Sequence, residues 1–152
     1  MSSERRSTTA TLFISNIAWD FVWQRHQTLA GLFAEDGDVV FCEVPGVRRV
    51  GWRDLPRIMA RLWRLRPVRK KSEPALPPRL SIARPFVLPA TNRVFCRING
   101  WLLDRWLSRE PGLRGGVDVI VNYSAARTAR QLIERVPHRL LVYDCTDDWL
   151  AV

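Results

Sequence analysis

Hydrophobic and polar positions along this chain follow two periods in alternation. Unbroken apolar runs occupy residues 11–17 (TLFISNI), 39–44 (VVFCEV), 117–122 (VDVIVN) and 139–144 (RLLVYD). Short runs of this kind, rich in β-branched and aromatic residues, predict strands covered on both faces, as in a parallel sheet. A fifth and shorter run, 80–83, is crowded by prolines and predicts a strand near a sheet edge.

Helical spacing fills the intervals. Over 22–35, Val22, His26, Leu29, Ala30 and Phe33 share one face, with Asp20 as a possible cap and Asp36-Gly37-Asp38 as the stop. Over 54–66, Leu55, Ile58, Met59, Leu62 and Leu65 gather on one side. Arg53, Arg57, Arg61 and Arg64 gather almost opposite them. Asn92 is placed to cap a helix running to about Arg109, with Phe95, Ile98, Leu102 and Trp106 on its buried side. Residues 111–116 read as a turn region. Ser124 begins a last helix to Arg135, with Ala126, Ala129, Leu132 and Ile133 inward. Strand and helix alternate throughout. The pattern predicts an α/β domain with a Rossmann-like, mainly parallel sheet and helices on both faces. Residues 1–10 are expected as a disordered N-terminus and 11–152 as the domain.

Composition supports one domain and skews its charge. The chain has 152 residues, 47% of them apolar, which suffices for a core. The formal net charge is +9, nearly all of the excess being arginine. Such a surface attracts phosphates, whether of nucleic acid, anionic lipid or phosphorylated small molecules. Cys42, Cys96 and Cys145 are far apart, and the only histidines are His26 and His138, so neither a disulfide framework nor a metal site is expected. This cysteine usage reads as a reducing cytosol. No apolar run approaches the roughly 18 residues of a membrane span. The basic helix face, continued by Arg69-Lys70-Lys71, reads either as a patch for anionic lipid or as a solvated face.

The sequence lacks G-x-G-x-x-G after the first strand, G-x-x-x-x-G-K-[ST], and G-x-S-x-G. Standard NAD enzymes, P-loop NTPases and α/β-hydrolases are therefore not supported. In open α/β sheets, ligands bind beyond the C-terminal ends of strands. After the first run stand Asp20, Trp23, Gln24, Arg25 and His26; after the fourth, Asn122 and Tyr123; after the fifth, Asp144, Asp147 and Asp148. Aromatic faces beside carboxylates and amides suit sugar rings, which need both apolar stacking and hydroxyl hydrogen bonds. The plainer readings are a capped helix with His26 packed on its inner face, a rim aromatic at Tyr123, and a carboxylate-rich turn that caps a further helix.

The runs W-D-F-x-W-Q-R-H-Q, D-L-P-R and V-Y-D-C-T-D-D-W, spread from about Thr11 to Val152, resemble the N-terminal domain of family-4-like GT-B glycosyltransferases. The resemblance is nearest to those of teichuronic-acid-type cell-surface polysaccharide synthesis. It implies two Rossmann-like domains facing across a cleft. The N-terminal one receives a glycan or lipid-linked acceptor at the cytoplasmic membrane face. The C-terminal one holds a nucleotide-sugar co-substrate through an E-x7-E motif, with neither metal nor other cofactor. That second domain is absent from these 152 residues, so turnover by this chain alone is not expected. Many such enzymes place a histidine just after the fourth strand, where Asn122-Tyr123-Ser124 stands here. The location implied is cytoplasmic, peripheral at the inner face of the plasma membrane. The alternative is a basic α/β module that binds anionic membrane or glycan without catalysis. A third reading, a basic nucleic-acid-binding domain, rests on charge alone; no nucleic-acid-binding motif is present, and nucleic acid is not the expected partner.

Overall fold

The structure is a computed structural model and describes residues 9–44, 76–88, 90 and 92–145. Five strands form one sheet: β1 (Ala10–Ser15), β2 (Asp38–Glu43), β3 (Leu80–Ala83), β4 (Val117–Asn122) and β5 (His138–Tyr143). The helices are α1 (Arg25–Asp36), α2 (Arg93–Leu107), α3 (Pro111–Arg114) and α4 (Arg127–Ile133). The strand order is β3-β2-β1-β4-β5, and every pairing is parallel. This is the Rossmann-like α/β arrangement that the alternating pattern predicts. The expected helix over 54–66, the basic stretch through Lys71, the acidic pair Asp147 and Asp148, and residues 1–8 lie outside the described residues.

The pleat divides the core in two. Leu12 and Ile14 of β1 point to the side covered by α2, α3 and α4, where they meet Cys42, Leu103, Leu113, Ile120 and Leu132. Phe13 points to the other side and packs with Ala30 and Ala34 of α1, Val39, Phe41, Leu80 and Tyr123. Helices therefore cover both faces. β1, at the centre, is buried along almost its whole length, as a doubly covered parallel strand must be.

Two helices present different faces from those expected. α1 begins at Arg25 rather than Val22 and buries His26, Gln27, Ala30 and Ala34, while Val22 and Phe33 are exposed. Its start is set by Gln27, whose Oε1 accepts from the Gln24 backbone N–H at 3.0 Å. α2 keeps its expected cap, the Asn92 side chain accepting from the Phe95 N–H at 2.8 Å. It buries Asn99, Gly100 and Leu103, whereas Ile98 is partly exposed. Asn99 is fully buried because it binds both backbone groups of Leu88, each at 2.7 Å, and so ties the loop after β3 to the helix. α4 starts at Arg127 instead of Ser124, which lies in the preceding turn.

β5 is also a departure. It reads as doubly buried, yet every residue of it is exposed, including Leu140 at 54% and Val142 at 39%. Leu140 pairs with Val119, on the α1 face, but α1 packs mainly on β1, β2 and β3 and leaves Leu140 exposed. An apolar edge strand of this kind invites self-association. Leu140→Lys is expected to change folding stability by less than about 0.5 kcal/mol, as for exposed sites, and to lower concentration-dependent association in sedimentation velocity. A loss of several kcal/mol would show that the face is covered.

Candidate functional site

The strand order reverses direction between β1 and β4, and such a switch point is where doubly wound sheets open a crevice. The side chains around it belong to three segments far apart in sequence.

The first is the turn from β1 into α1. Ser15 ends β1 fully buried, and its hydroxyl closes a local turn, accepting from the Ile17 N–H at 3.0 Å. The same oxygen lies 3.0 Å from His26 Nδ1. Gln27 braces the loop from beneath, its Nε2 donating to the Val22 carbonyl at 3.2 Å. The loop thus carries Phe21, Val22 and Trp23 outward, exposed at 72%, 57% and 61%. Trp23 is nevertheless oriented: its Nε1 donates to Thr28 Oγ1 at 2.9 Å, and its ring meets Trp19 edge to face at 5.5 Å.

The second segment follows β4. The Tyr123 ring stacks on His26 at 3.9 Å and 21° and, farther off, on Phe13 at 6.3 Å. The Tyr123 hydroxyl is buried and has no hydrogen-bond partner among the described residues. Burial, with the Asp144 carboxylate beside it, pushes this phenol up to about 12. It is therefore a neutral donor across the physiological range. Asn122 serves the turn itself, its amide exchanging two bonds of 3.0 Å with the Ser124 backbone.

The third segment follows β5. Asp144 takes both Nε and Nη2 of Arg25, with an Nε–Oδ2 distance of 3.1 Å, and this contact raises the pKa of the Arg25 guanidinium. The pair spans the crevice next to the Tyr123 hydroxyl and acts on the phenol both by charge and by hydrogen bonding too poorly aligned to satisfy the hydroxyl.

Of the residues expected at the site, Arg25, His26, Tyr123 and Asp144 come together on this lip, while Trp23 stands on the first loop against Trp19 and Thr28. Asn122 lies beneath it as a turn former, and His26 is both packed, as its helical position predicts, and part of the cluster. Asp20 and Gln24 are exposed on the first loop. Four further groups belong to the lip and its support. Glu43 at the end of β2 accepts from the Trp19 N–H at 2.9 Å and from Arg84 Nε at 2.6 Å; Ser15 and Gln27 hold the first loop. For Ser15, Glu43 and Arg84 the signal is the same as that of Asp144, a polar residue at a strand end, here of β1, β2 and β3; Gln27 lies inside α1 and carries no such signal.

Among the described residues, no group of three or more His, Cys, Asp or Glu could hold a metal ion. No helix there is long and apolar enough to cross a membrane. Burial pushes the Cys42 thiol far up, away from thiolate chemistry. A shallow depression of about 430 Å³ lies behind the lip between α4 and β5, and its charged residues, Arg130 and Glu134, pair with each other. No family model, curated protein or solved structure matches the chain.

Proposed function

We propose that this domain is the acceptor-side half of a metal-independent glycosyltransferase, which moves a sugar from a nucleotide-sugar to a cell-surface glycan or lipid-linked acceptor. One observation carries the reading: a buried phenol and an ion-paired carboxylate meet at the switch point of the sheet, beside a first loop that carries an exposed, oriented indole. A sugar ring needs an apolar platform, a donor and an acceptor. Trp23 supplies the first with its orientation already fixed, which lowers the ordering cost of binding. Asp144, held by Arg25, supplies an acceptor for a hydroxyl, and the poorly satisfied Tyr123 hydroxyl buried beside the pair becomes a donor when the ligand parts it from them. In the transfer, the acceptor oxygen bonds to the anomeric carbon. The bond from that carbon to the nucleotide diphosphate breaks, and the hydroxyl proton leaves to a base. The role of this lip is to hold the hydroxyl in line, where orientation contributes most to the rate. The resemblance in the W-Q-R-H-Q and Y-D-C-T-D-D runs supports the same reading. The exposed β5 accords with a sheet that is covered further in a whole enzyme.

Saturation-transfer NMR of the full 152-residue chain against neutral and uronic-acid oligosaccharides tests this. Saturation of at least one saccharide class is expected, with loss of most of the signal in Trp23→Ala. No transfer to any saccharide, or transfer indifferent to Trp23, would overturn the proposal.

A further inference from the structure

α2 buries one face and leaves the opposite one bare. Val94, Ile98 and Trp101 are exposed at 63%, 38% and 62%. At 100° per residue they fall in one narrow stripe, and Arg105 continues it. The Arg105 guanidinium lies over the Trp101 ring, 5.9 Å from its centroid. Arg93 and Arg97 line one flank. Among the described residues neither Arg93, Arg97 nor Arg105 has an ion-pair partner; the only acid on the helix, Asp104, is taken by Arg135 at 2.8 Å. An exposed apolar stripe edged with uncompensated arginine is uncommon on a water-facing helix. It suits an interface that is apolar a few ångströms down and negative at its surface.

We propose that the outer face of α2 docks on an anionic lipid bilayer. Val94, Ile98 and Trp101 enter the headgroup–acyl boundary, and Arg93, Arg97 and Arg105 reach lipid phosphates while their stems stay against apolar surface. Charge complementarity selects this occupant over a second copy of the chain, whose equal α2 face would bring arginine against arginine. The surface is distinct from the basic stripe of residues 53–64 and stands on observations separate from the glycosyl-transfer reading. The two readings fit together geometrically. α2 follows β3 and leads back toward the start of β4, so its Arg93–Ile98 end lies on the side of the sheet where the strands finish. Docking there would bring a membrane-borne acceptor toward the lip.

The test is co-sedimentation of the full chain with vesicles of phosphatidylcholine alone and with about a third phosphatidylglycerol, at low and high salt. Binding to the anionic vesicles, weakened by salt, is expected. The triple variant Val94→Ser, Ile98→Ser, Trp101→Ser is expected to bind on the order of tenfold more weakly or worse. Each of Arg93→Gln and Arg97→Gln should lower binding about fivefold. A control at another exposed apolar surface, Leu140→Ser, should bind as the parent does. These side chains are exposed, so unchanged circular dichroism and melting would confirm folding in every variant. The proposal is overturned if the parent ignores anionic vesicles or if the triple variant binds equally well, which would place the contact on another basic surface. Self-association through α2 in place of vesicle binding would also overturn it.

Discussion

Gly37→Ala is expected to cost the domain about 3 kcal/mol or more, combining backbone overlap in a packed core with a lost backbone hydrogen bond. Gly37 is the buried residue at which α1 hands the chain to β2. A Cβ placed there would stand 2.1 Å from the Thr9 carbonyl oxygen. No side-chain rotation relieves this, because both parties are backbone. The same carbonyl accepts the Asp38 N–H at 3.0 Å and opens the β1–β2 pairing at Ala10↔Asp38. The methyl group must therefore separate the two strands on which the first loop is built. In a domain of this length the melting temperature should fall on the order of 10 °C. Gly31→Ala is the control. Nothing lies within 4 Å of its added Cβ, and its place inside α1 makes a gain of about 0.5–1 kcal/mol the expected result. Thermal unfolding followed by circular dichroism checks both. A Gly37→Ala melting curve within a degree or two of the parent would refute this account of the junction.

Tyr123→Phe should move stability and binding in opposite directions. A buried hydroxyl with no partner costs about 1–3 kcal/mol. Phenylalanine keeps the ring, and with it the stacking on His26 at 3.9 Å and on Phe13 at 6.3 Å. The folded state is expected to gain about 1 kcal/mol. Saccharide affinity should drop roughly tenfold or more, because one good hydrogen bond to the ligand disappears. A purely structural tyrosine would show the reverse, with lost stability and unchanged binding. Chemical denaturation and an NMR titration on the same two proteins decide between them.

Much of this architecture is legible in the hydrophobic pattern. β4 falls on residues 117–122 as its V-D-V-I-V-N run predicts, β1 and β2 begin one residue early, and the proline-crowded 80–83 run does lie at an edge. What periodicity misses is decided by polar groups that it scores as surface. Gln27 and Asn99 are fully buried, each satisfied by backbone partners, and each rotates its helix away from the face that the apolar residues alone suggest. Gly100 turns inward because Arg135 lies over it, 2.7 Å from where a Cβ would sit. The exposure of β5 was hidden for a different reason: whether a strand is covered depends on which helix reaches it, and α1 packs mainly on β1, β2 and β3.

The candidate site was legible as a list of residues and not as an arrangement. Polar groups past strand ends can be read directly, but Arg25 and Asp144 are 119 positions apart, and only the β3-β2-β1-β4-β5 order brings them together. Nor could sequence show that Tyr123 lies under His26 with its hydroxyl unspent. Asn122 illustrates the converse, a plausible ligand group whose amide is used up by its own turn.

The most direct measurement is a two-dimensional ¹H–¹⁵N titration of the whole chain with a saccharide that shows saturation transfer. Shifts are expected together at the Trp23 indole and at the backbone amides of His26, Tyr123 and Asp144, with α2 and the depression between α4 and β5 unmoved. Shifts confined to one of the three segments, or centred on α4 and β5, would contradict a shared site at the strand ends.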